Sequence, residues 1–397
     1  MPPCAWVRRV ACNWASQLLV VLQSVQPLTT EVRAVGLDEV VVLTDGPETG
    51  VTRADAPVPP AVREAARDKW GEALSEWARS SAVEVVTNDE FCLSECARLR
   101  QALGLERRTP EALDAYLDKV DMKTRLAASV PVPRWVGIDR VGTVADMPTP
   151  PTGLSYPLVA KPRIGSNSHG VRVICDDAQW RGWVTDRSGQ QGWQVEEFIE
   201  GRMCFVDAMV IDGHYEPVLV GAYLGGLLPH PDVSVLGAVD VPRTDPLWGR
   251  ATGLGARVAQ VLGDDGRFAT HMEFFERGCE LVVMEVSARA PGALVSQMAR
   301  VVAGHNLETA HLAVQAGQSL PAFGETGIHA AWLSVLARAD HEYQGPPSLH
   351  SDSTTYRMPA PPGAVGRFVA HMALLTNNNH GALVRDVRNL AEHRWYA

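Results

Sequence analysis

Ala269-Thr270-His271-Met272-Glu273-Phe274-Phe275 and Leu281-Val282-Val283-Met284-Glu285-Val286-Ser287-Ala288-Arg289 are two apolar runs joined by Glu276-Arg277-Gly278-Cys279-Glu280. Each has the length and residue types of a strand, and the polar link with its glycine predicts an antiparallel hairpin. Side chains alternate along a strand, so His271 and Glu273 share one face, as do Glu285, Ser287 and Arg289. If the register turns both faces inward, two carboxylates and a hydroxyl converge beside a guanidinium. Carboxylates that interrupt apolar strands at matched positions are costly to bury without a cation. The set suits Mg²⁺ and a phosphate: hard oxygen ligands for the ion, a planar cation for oxygens that gain charge. The structural alternative is a solvent-facing set of ion pairs.

Upstream, Leu158-Val159-Ala160-Lys161-Pro162-Arg163-Ile164-Gly165-Ser166-Asn167-Ser168-His169-Gly170-Val171 delivers a lysine at the end of a strand and follows it with small residues. A phosphate chain needs a fixed positive charge and backbone N–H donors that can approach unobstructed, and Gly165, Ser166, Ser168 and Gly170 supply that freedom. By itself the segment reads equally as a polar hairpin turn beside a surface lysine. Further on, Val195-Glu196-Glu197-Phe198-Ile199-Glu200-Gly201 is a strand running into a linker. Its backbone groups suit the edge of an adenine, with Phe198 and Ile199 closing over the ring. Alone, it is also an ordinary strand with exposed carboxylates.

The rest of the chain falls into patterned stretches. QLLVVLQ and EVVVLTDG read as buried strands flanking a helix in TTEVRAVGL, and AVEVVTNDE is a further strand after a helical segment from Pro60 to Arg79. Strands alternating with helices predict a parallel sheet covered on both faces. A helix is expected from Pro110 to Ala128, ended by Pro131 and Pro133. Strands are expected at LVAKP, VRVIC, WQVEEFI, CFVDAMVIDG and YEPVLVGAYL, and near the end at FVAHMALLT. Helices are expected at Ala251–Leu262, at Leu294–Ala303, and after the turn NNNHG. The class is α/β, with boundaries near residues 117, 205 and 327; residues 1–15 are expected to be a disordered extension, and 328–397 a C-terminal lid or subdomain.

Composition excludes some functions. With a formal charge of −10 and no basic cluster, nucleic acid is not the expected partner. No run approaches the length of a membrane span. Seven cysteines without a CxxC pair suggest neither a disulfide framework nor a zinc site, and the expected compartment is reducing cytoplasm. Cys92 and Cys96, one helical turn apart, read as packing residues. The tryptophans, including Trp180, Trp183 and Trp193, read the same way.

Taken in order, Leu117-Asp118-Lys119-Val120-Asp121-Met122-Lys123, Val130-Pro131-Val132-Pro133, VAKPRIGSNSHGV, VEEFIEG, HMEFF and MEVSARAPG resemble the ATP-grasp superfamily, and within it the carboxylate–amine or L-amino acid ligase branch. VTNDE and the helix at Cys96–Leu105 look like that family's N-terminal domain, so the resemblance runs from about Leu18 to Ala316. It implies an N-terminal Rossmann-like domain and two α+β lobes, 118–205 and 206–327, enclosing ATP. It also implies roles. Lys119 and Lys161 match lysines that contact ATP phosphates, and Ser168, His169 and Gly170 lie in the loop over them. Glu196, Glu197, Phe198 and Ile199 match the adenine hinge. Glu273 and Glu285 match the Mg²⁺ carboxylates, for which Mn²⁺ is an acceptable ion, and Arg289 matches the arginine near the transferred phosphoryl group. The sequence departs from the family at Met203, where an acidic residue often holds the ribose, and at Ser287, where an asparagine commonly completes the metal site.

The resemblance implies an ADP-forming ligase that makes an acyl phosphate and couples it to an amine, with small-molecule carboxylate and amine partners and room for a homodimer. Two alternatives stay open: a ligase whose partner rides on a carrier protein, and a nucleotide-binding regulatory protein without catalysis. Tyr223, His230, Asp232 and Arg243 lie in a stretch where such enzymes line the substrate pocket, but each reads more readily as structural or solvent-facing than as a specific contact; His271 is expected to support Glu273.

Overall fold

The computed structural model describes residues 17–29, 35, 39–46, 61–105, 113–225, 235–263, 266–338, 345–358, 367–393 and 395. The N-terminal extension, most of the helix expected in TTEVRAVGL, the start of the helix expected from Pro110, and His230 and Asp232 lie outside these residues.

Among the described residues the chain builds three sheets. The first contains β1 (Gln17–Gln23), β2 (Glu39–Thr44), β3 (Val62–Glu64) and β4 (Ala82–Thr87), paired in parallel in the order β3-β2-β1-β4. β1 and β2 are apolar nearly throughout because both faces are covered. Helices α1 (Trp70–Trp77) and α2 (Leu93–Ala102) cover one face, burying Trp70, Leu74 and Leu99 together with the thiols of Cys92 and Cys96, neither of them in a disulfide. The helix expected from Pro60 thus gives way at its start to β3, an outer strand that extends the ladder of β2.

The helix expected up to Ala128 is two helices, α3 (Asp114–Leu117) and α4 (Lys119–Leu126). Asp118 between them has extended backbone, and its carboxylate accepts from the amides of Val120 and Asp121. This N-cap starts α4 afresh and fixes Lys119 as its first residue.

The second sheet is antiparallel, with β5 (Trp135–Arg140), β6 (Leu158–Pro162), β7 (Arg172–Ile174) and β8 (Gln191–Glu197) in the order β5-β8-β6-β7. A helix that the sequence pattern does not announce, α5 (Asp177–Arg187), packs Trp180, Trp183 and Val184 against it. The indole of Trp180 stacks on Trp183 at 5.3 Å between ring centroids, and Trp183 meets Trp193 edge-on at 5.6 Å. These tryptophans are core.

The third sheet has eight antiparallel strands. They are β9 (Arg202–Ile211), β10 (His214–Tyr223), β11 (Val235–Asp240), β12 (Arg267–Arg277), β13 (Glu280–Ser287), β14 (His329–Arg338), β15 (Asp352–Arg357) and β16 (Arg367–Asn377), in the order β13-β12-β9-β10-β11-β14-β16-β15. Alternate residues of β9 serve two cores. Cys204, Val206 and Val210 meet α6 (Pro246–Leu262), whereas Phe205 and Met209 meet α7 (Val295–Ala303) and α8 (Leu307–Gln315). At the far end α9 (His380–Glu392) buries Leu383, Val387 and Leu390. The boundary expected at 205/206 falls inside β9. The stretch after 327, expected as a lid or subdomain, adds three strands to the same sheet because β14 pairs with the edge of β11. No helix among the described residues is long and apolar enough to cross a membrane.

Two devices join the sheets. α8 closes the second face of the parallel sheet, packing Leu312 with Leu19, Val21, Val42 and Val86, while the Glu308 carboxylate accepts from Thr29 N at 3.0 Å and Asn88 Nδ2 at 3.1 Å. The other device is a buried ion set. Glu196 on β8 lies 2.8 Å from Lys123 Nζ on α4 and 2.5 Å from Lys161 Nζ on β6, and Gln194 Oε1 accepts from Lys123 at 3.0 Å. Burial pulls the Lys123 ammonium down to about 8. Burial alone would raise the Glu196 carboxyl, but the two ammonium groups hold it below its usual range.

Glu196→Gln strips the anion from between two buried cations, so it is expected to cost about 3–5 kcal/mol of stability. Urea denaturation measures this, and adding Lys123→Met should recover part of the loss; a cost below about 1 kcal/mol would mean the set is solvated.

Candidate active site

The expected hairpin forms. His271 stands opposite Ser287, Met272 opposite Val286, and Glu273 directly opposite Glu285. Past that pair the register slips: Phe274 faces Val283, so Met284 is an extra residue, a β-bulge. Strict alternation would send Met284 into the core beneath the sheet. The bulge instead places it with Val282, Ile199 and Phe275 in a small apolar cluster adjoining Glu285.

Like charges directly opposite one another destabilise a ladder, and each carboxylate here has compensation. Lys119 Nζ lies 3.2 Å from Glu285 Oε1 and donates to Gly165 O at 2.7 Å. Burial opposes the Lys119 charge, but Glu285 and Glu90 outweigh it and raise the ammonium above its ordinary value. Glu273 Oε1 accepts from Tyr223 Oη at 2.7 Å and lies 3.5 Å from His271 Nε2. The other imidazole nitrogen, Nδ1, is 2.7 Å from Asp207 Oδ1. Burial works against a charged imidazole, yet Asp207 and Glu273 push His271 up to about 9. Burial first, and then Glu273, keep the Tyr223 phenol protonated as a donor. His271 thus touches Glu273 as expected. Tyr223, read from the sequence as more readily structural than a substrate contact, meets the same carboxylate. Sequence reasoning misses Asp207; an acidic residue amid the apolar run of β9 is its signal.

Ser287 Oγ is buried and has no hydrogen-bond partner. An orphaned buried hydroxyl costs about 1–3 kcal/mol, which a cation or a water on that cation would relieve. Two carboxylates and this hydroxyl form a donor set of hard oxygens, the type Mg²⁺ takes. The residues present fit the ion.

Arg289 is buried. Its Nε and Nη2 donate to Glu90 Oε2 at 3.1 and 3.0 Å, and Nη1 donates to Ala290 O at 3.0 Å. Glu90 sits in the turn after β4, where Asn88 Oδ1 also accepts from Ala290 N at 2.9 Å. A partner 199 positions away in sequence leaves no local signal. In the same turn, Asp89 Oδ2 accepts from the amides of Ser24, Val25 and Gln26 at 2.8, 2.7 and 2.9 Å. Gln26 in turn donates to Ser166 Oγ at 3.3 Å, so the loop after β1 touches the glycine loop.

That glycine loop is tightly coiled. Gly165, Asn167, Ser168 and Gly170 all have positive φ, two of them without the freedom of glycine. At Gly170 a Cβ would also come within 3.1 Å of the Pro162 ring. His169 is exposed and Ser168 half-buried. Arg163 anchors the start of the loop, its Nη2 lying 2.8 Å from the capping carboxylate of Asp118.

The expected hinge needs correction at Glu196. Its strand is paired on both sides, opposite Trp135 and Val159, and its side chain faces Lys123 and Lys161. A residue in an interior strand has its backbone groups committed to the ladder, so Glu196 does not present an edge to a base. Glu197 is held by Arg134, at 2.9 Å between side chains, and the Phe198 amide donates to Pro157 O at 3.3 Å. Phe198 is half-buried, and Ile199 joins the apolar cluster beside the bulge. Lys161 is brought to Glu196, while Lys119 is brought to the carboxylate pair. Met203 stands opposite Phe275 on the neighbouring strand.

No family model matches the sequence. Among curated proteins, the uncharacterized protein y4rH of Sinorhizobium fredii (strain NGR234) is 29% identical over 240 residues, 58% of this chain and 48% of that protein. The chain therefore spans about half the length of the curated relative it matches. Solved structures match over nearly its whole length. An L-amino acid ligase from Bacillus licheniformis has a TM-score of 0.70 at 16% identity, covering 95% of this chain and 97% of its own. The N5-carboxyaminoimidazole ribonucleotide synthetase of Thermus thermophilus has a TM-score of 0.66 at 17% identity, covering 95% and 99%. An N5-carboxyaminoimidazole synthase from Aspergillus clavatus, in complex with ADP and 5-aminoimidazole ribonucleotide, has a TM-score of 0.67 at 13% identity, covering 94% and 98%. Likeness at such identities speaks for architecture, and the three sheets described above are that architecture: the chain adopts the ATP-grasp fold.

Proposed function

We propose that the chain is an ATP- and Mg²⁺-dependent, ADP-forming ligase that activates a carboxylate as an acyl phosphate and couples it to an amine, forming an amide or peptide bond between small amino-acid-like substrates. The observation that carries the proposal is the directly opposed pair Glu273 and Glu285, with the orphaned Ser287 hydroxyl beside it and Lys119 and Arg289 at its margin. The ADP bound in one solved relative supports a nucleotide in the crevice.

In this reading Ile199, Val282, Met284 and Phe275 offer an apolar wall for the adenine, with Phe198 at its rim. The loop carrying Ser168, His169 and Gly170 lies over the phosphates and excludes water that would hydrolyse an acyl phosphate. Glu273, Glu285 and Ser287 hold Mg²⁺, which supplies charge neutralisation at the phosphate oxygens. Lys119 spans Glu285 and the Gly165 carbonyl, at the start of the glycine loop, and there offers its charge to a phosphate. Lys161 is held beside the crevice by Glu196. Arg289 faces the oxygens that gain charge as a substrate carboxylate oxygen bonds to the γ-phosphorus and ADP leaves. The amine nitrogen then bonds to the carbonyl carbon, phosphate departs, and the nitrogen loses its proton. Positioning and charge stabilisation do the work, and no covalent enzyme nucleophile is required.

Incubation with ATP, Mg²⁺ and pooled amino acids and simple acids is expected to yield ADP and an amide detectable by mass. AMP in place of ADP would rule out the acyl phosphate. Glu285→Ala is expected to lower Mg²⁺-dependent turnover by about 10²–10³-fold or more, while its thermal unfolding stays cooperative. Unchanged turnover would remove Glu285 from the metal site.

A further inference from the structure

Away from the carboxylate pair, three donors meet at the ends of three elements: Asp240 closes β11, His329 opens β14, and His380 is the first residue of α9. Asp240 lies in the same row of the sheet as Glu273, reached through Phe205 and Gly221. Three strand spacings separate the two, about 14 Å, so this cluster is a separate centre.

Its geometry is convergent. His329 Nδ1 lies 2.7 Å from Asp240 Oδ2, and His380 Nε2 lies 2.8 Å from the backbone oxygen of Asp240. One ligand atom from each residue falls within 4.8 Å of the others. The two rings meet edge to face, 4.9 Å between centroids. Asp240 is buried, and its second oxygen, Oδ1, accepts from the amide of Ala330 at 3.1 Å, the kind of outer hydrogen bond that orients a ligating carboxylate. Asn379 caps α9 through the amide of Ala382 and so fixes where His380 begins. His329 is half-buried, which leaves a side open for a water ligand.

We propose that Asp240, His329 and His380 bind a divalent transition metal of the zinc class, pinning β11, β14 and α9 together. Two imidazoles, a carboxylate and a water are a common tetrahedral set for that ion, with ligand bonds of about 2.0–2.2 Å. Ligand atoms in such a tetrahedron stand about 3.3 Å apart, within the 4.8 Å spread of the three donors here. The site stands apart from the proposed ligase reaction and does not depend on it.

The test uses the full chain, stripped with EDTA and titrated with Zn²⁺ in excess Mg²⁺ and ADP. One Zn²⁺ per chain is expected, with two imidazoles in its shell by X-ray absorption. His329→Gln and His380→Gln should each weaken binding at least tenfold, and Glu285→Gln should leave it unchanged. If Asp240→Asn does not fold, the two histidine variants, checked by cooperative melting, carry the test. Absence of stoichiometric Zn²⁺, zinc retained by both histidine variants, or zinc lost in Glu285→Gln would overturn the proposal.

Discussion

Two carboxylates directly opposite each other on adjacent strands repel, and much of the molecule around Glu273 and Glu285 answers that repulsion. Helix α4, capped by Asp118, brings Lys119 to Glu285. β9 contributes Asp207, which holds His271 against Glu273. β10 contributes the Tyr223 hydroxyl to the same oxygen. Residues from three other segments therefore depend on one cross-strand pair, and removing the pair would leave Lys119 and His271 without these partners.

The same logic repeats at the other ionic centres. Glu196 stands between Lys123 and Lys161, and Glu90 faces Arg289. Lys119, Lys161 and Arg289, the cations proposed to meet phosphate, each already have a carboxylate partner. Under that proposal these pairings orient the groups before a ligand arrives. Preorganisation of this kind is what lets electrostatic catalysis proceed without rearranging dipoles at the moment of reaction.

How much of this is legible in the sequence depends on range. The parallel opening sheet, the hairpin and the pairing of its acidic residues follow from runs of apolar residues and their alternation. The bulge at Met284 does not, because it adds one residue without changing composition. The cap at Asp118 is hidden in a stretch that reads as continuous helix, since aspartate there is as common on a helix surface as at its start. Glu196 reads as part of the hinge because its neighbours run into a linker; its two lysines lie 73 and 35 positions away. The partner of Arg289 and the gathering of Asp240, His329 and His380 rest on still longer separations. The path of the last strands into the large sheet rests on β14 meeting β11, a contact that no local pattern announces.

The turn that joins the parallel sheet to the rest carries one further consequence. Three successive amides, those of Ser24, Val25 and Gln26, point at a single oxygen of Asp89. Such a row of N–H groups after the first strand is an anion cradle, the shape that in many α/β units receives a ligand's phosphate. Here the chain supplies its own tethered anion. A phosphorylated small molecule approaching that turn would have to displace a covalently tethered carboxylate from all three amides. The cradle is thus closed from within, and its donors lock the turn after β1 against the turn after β4.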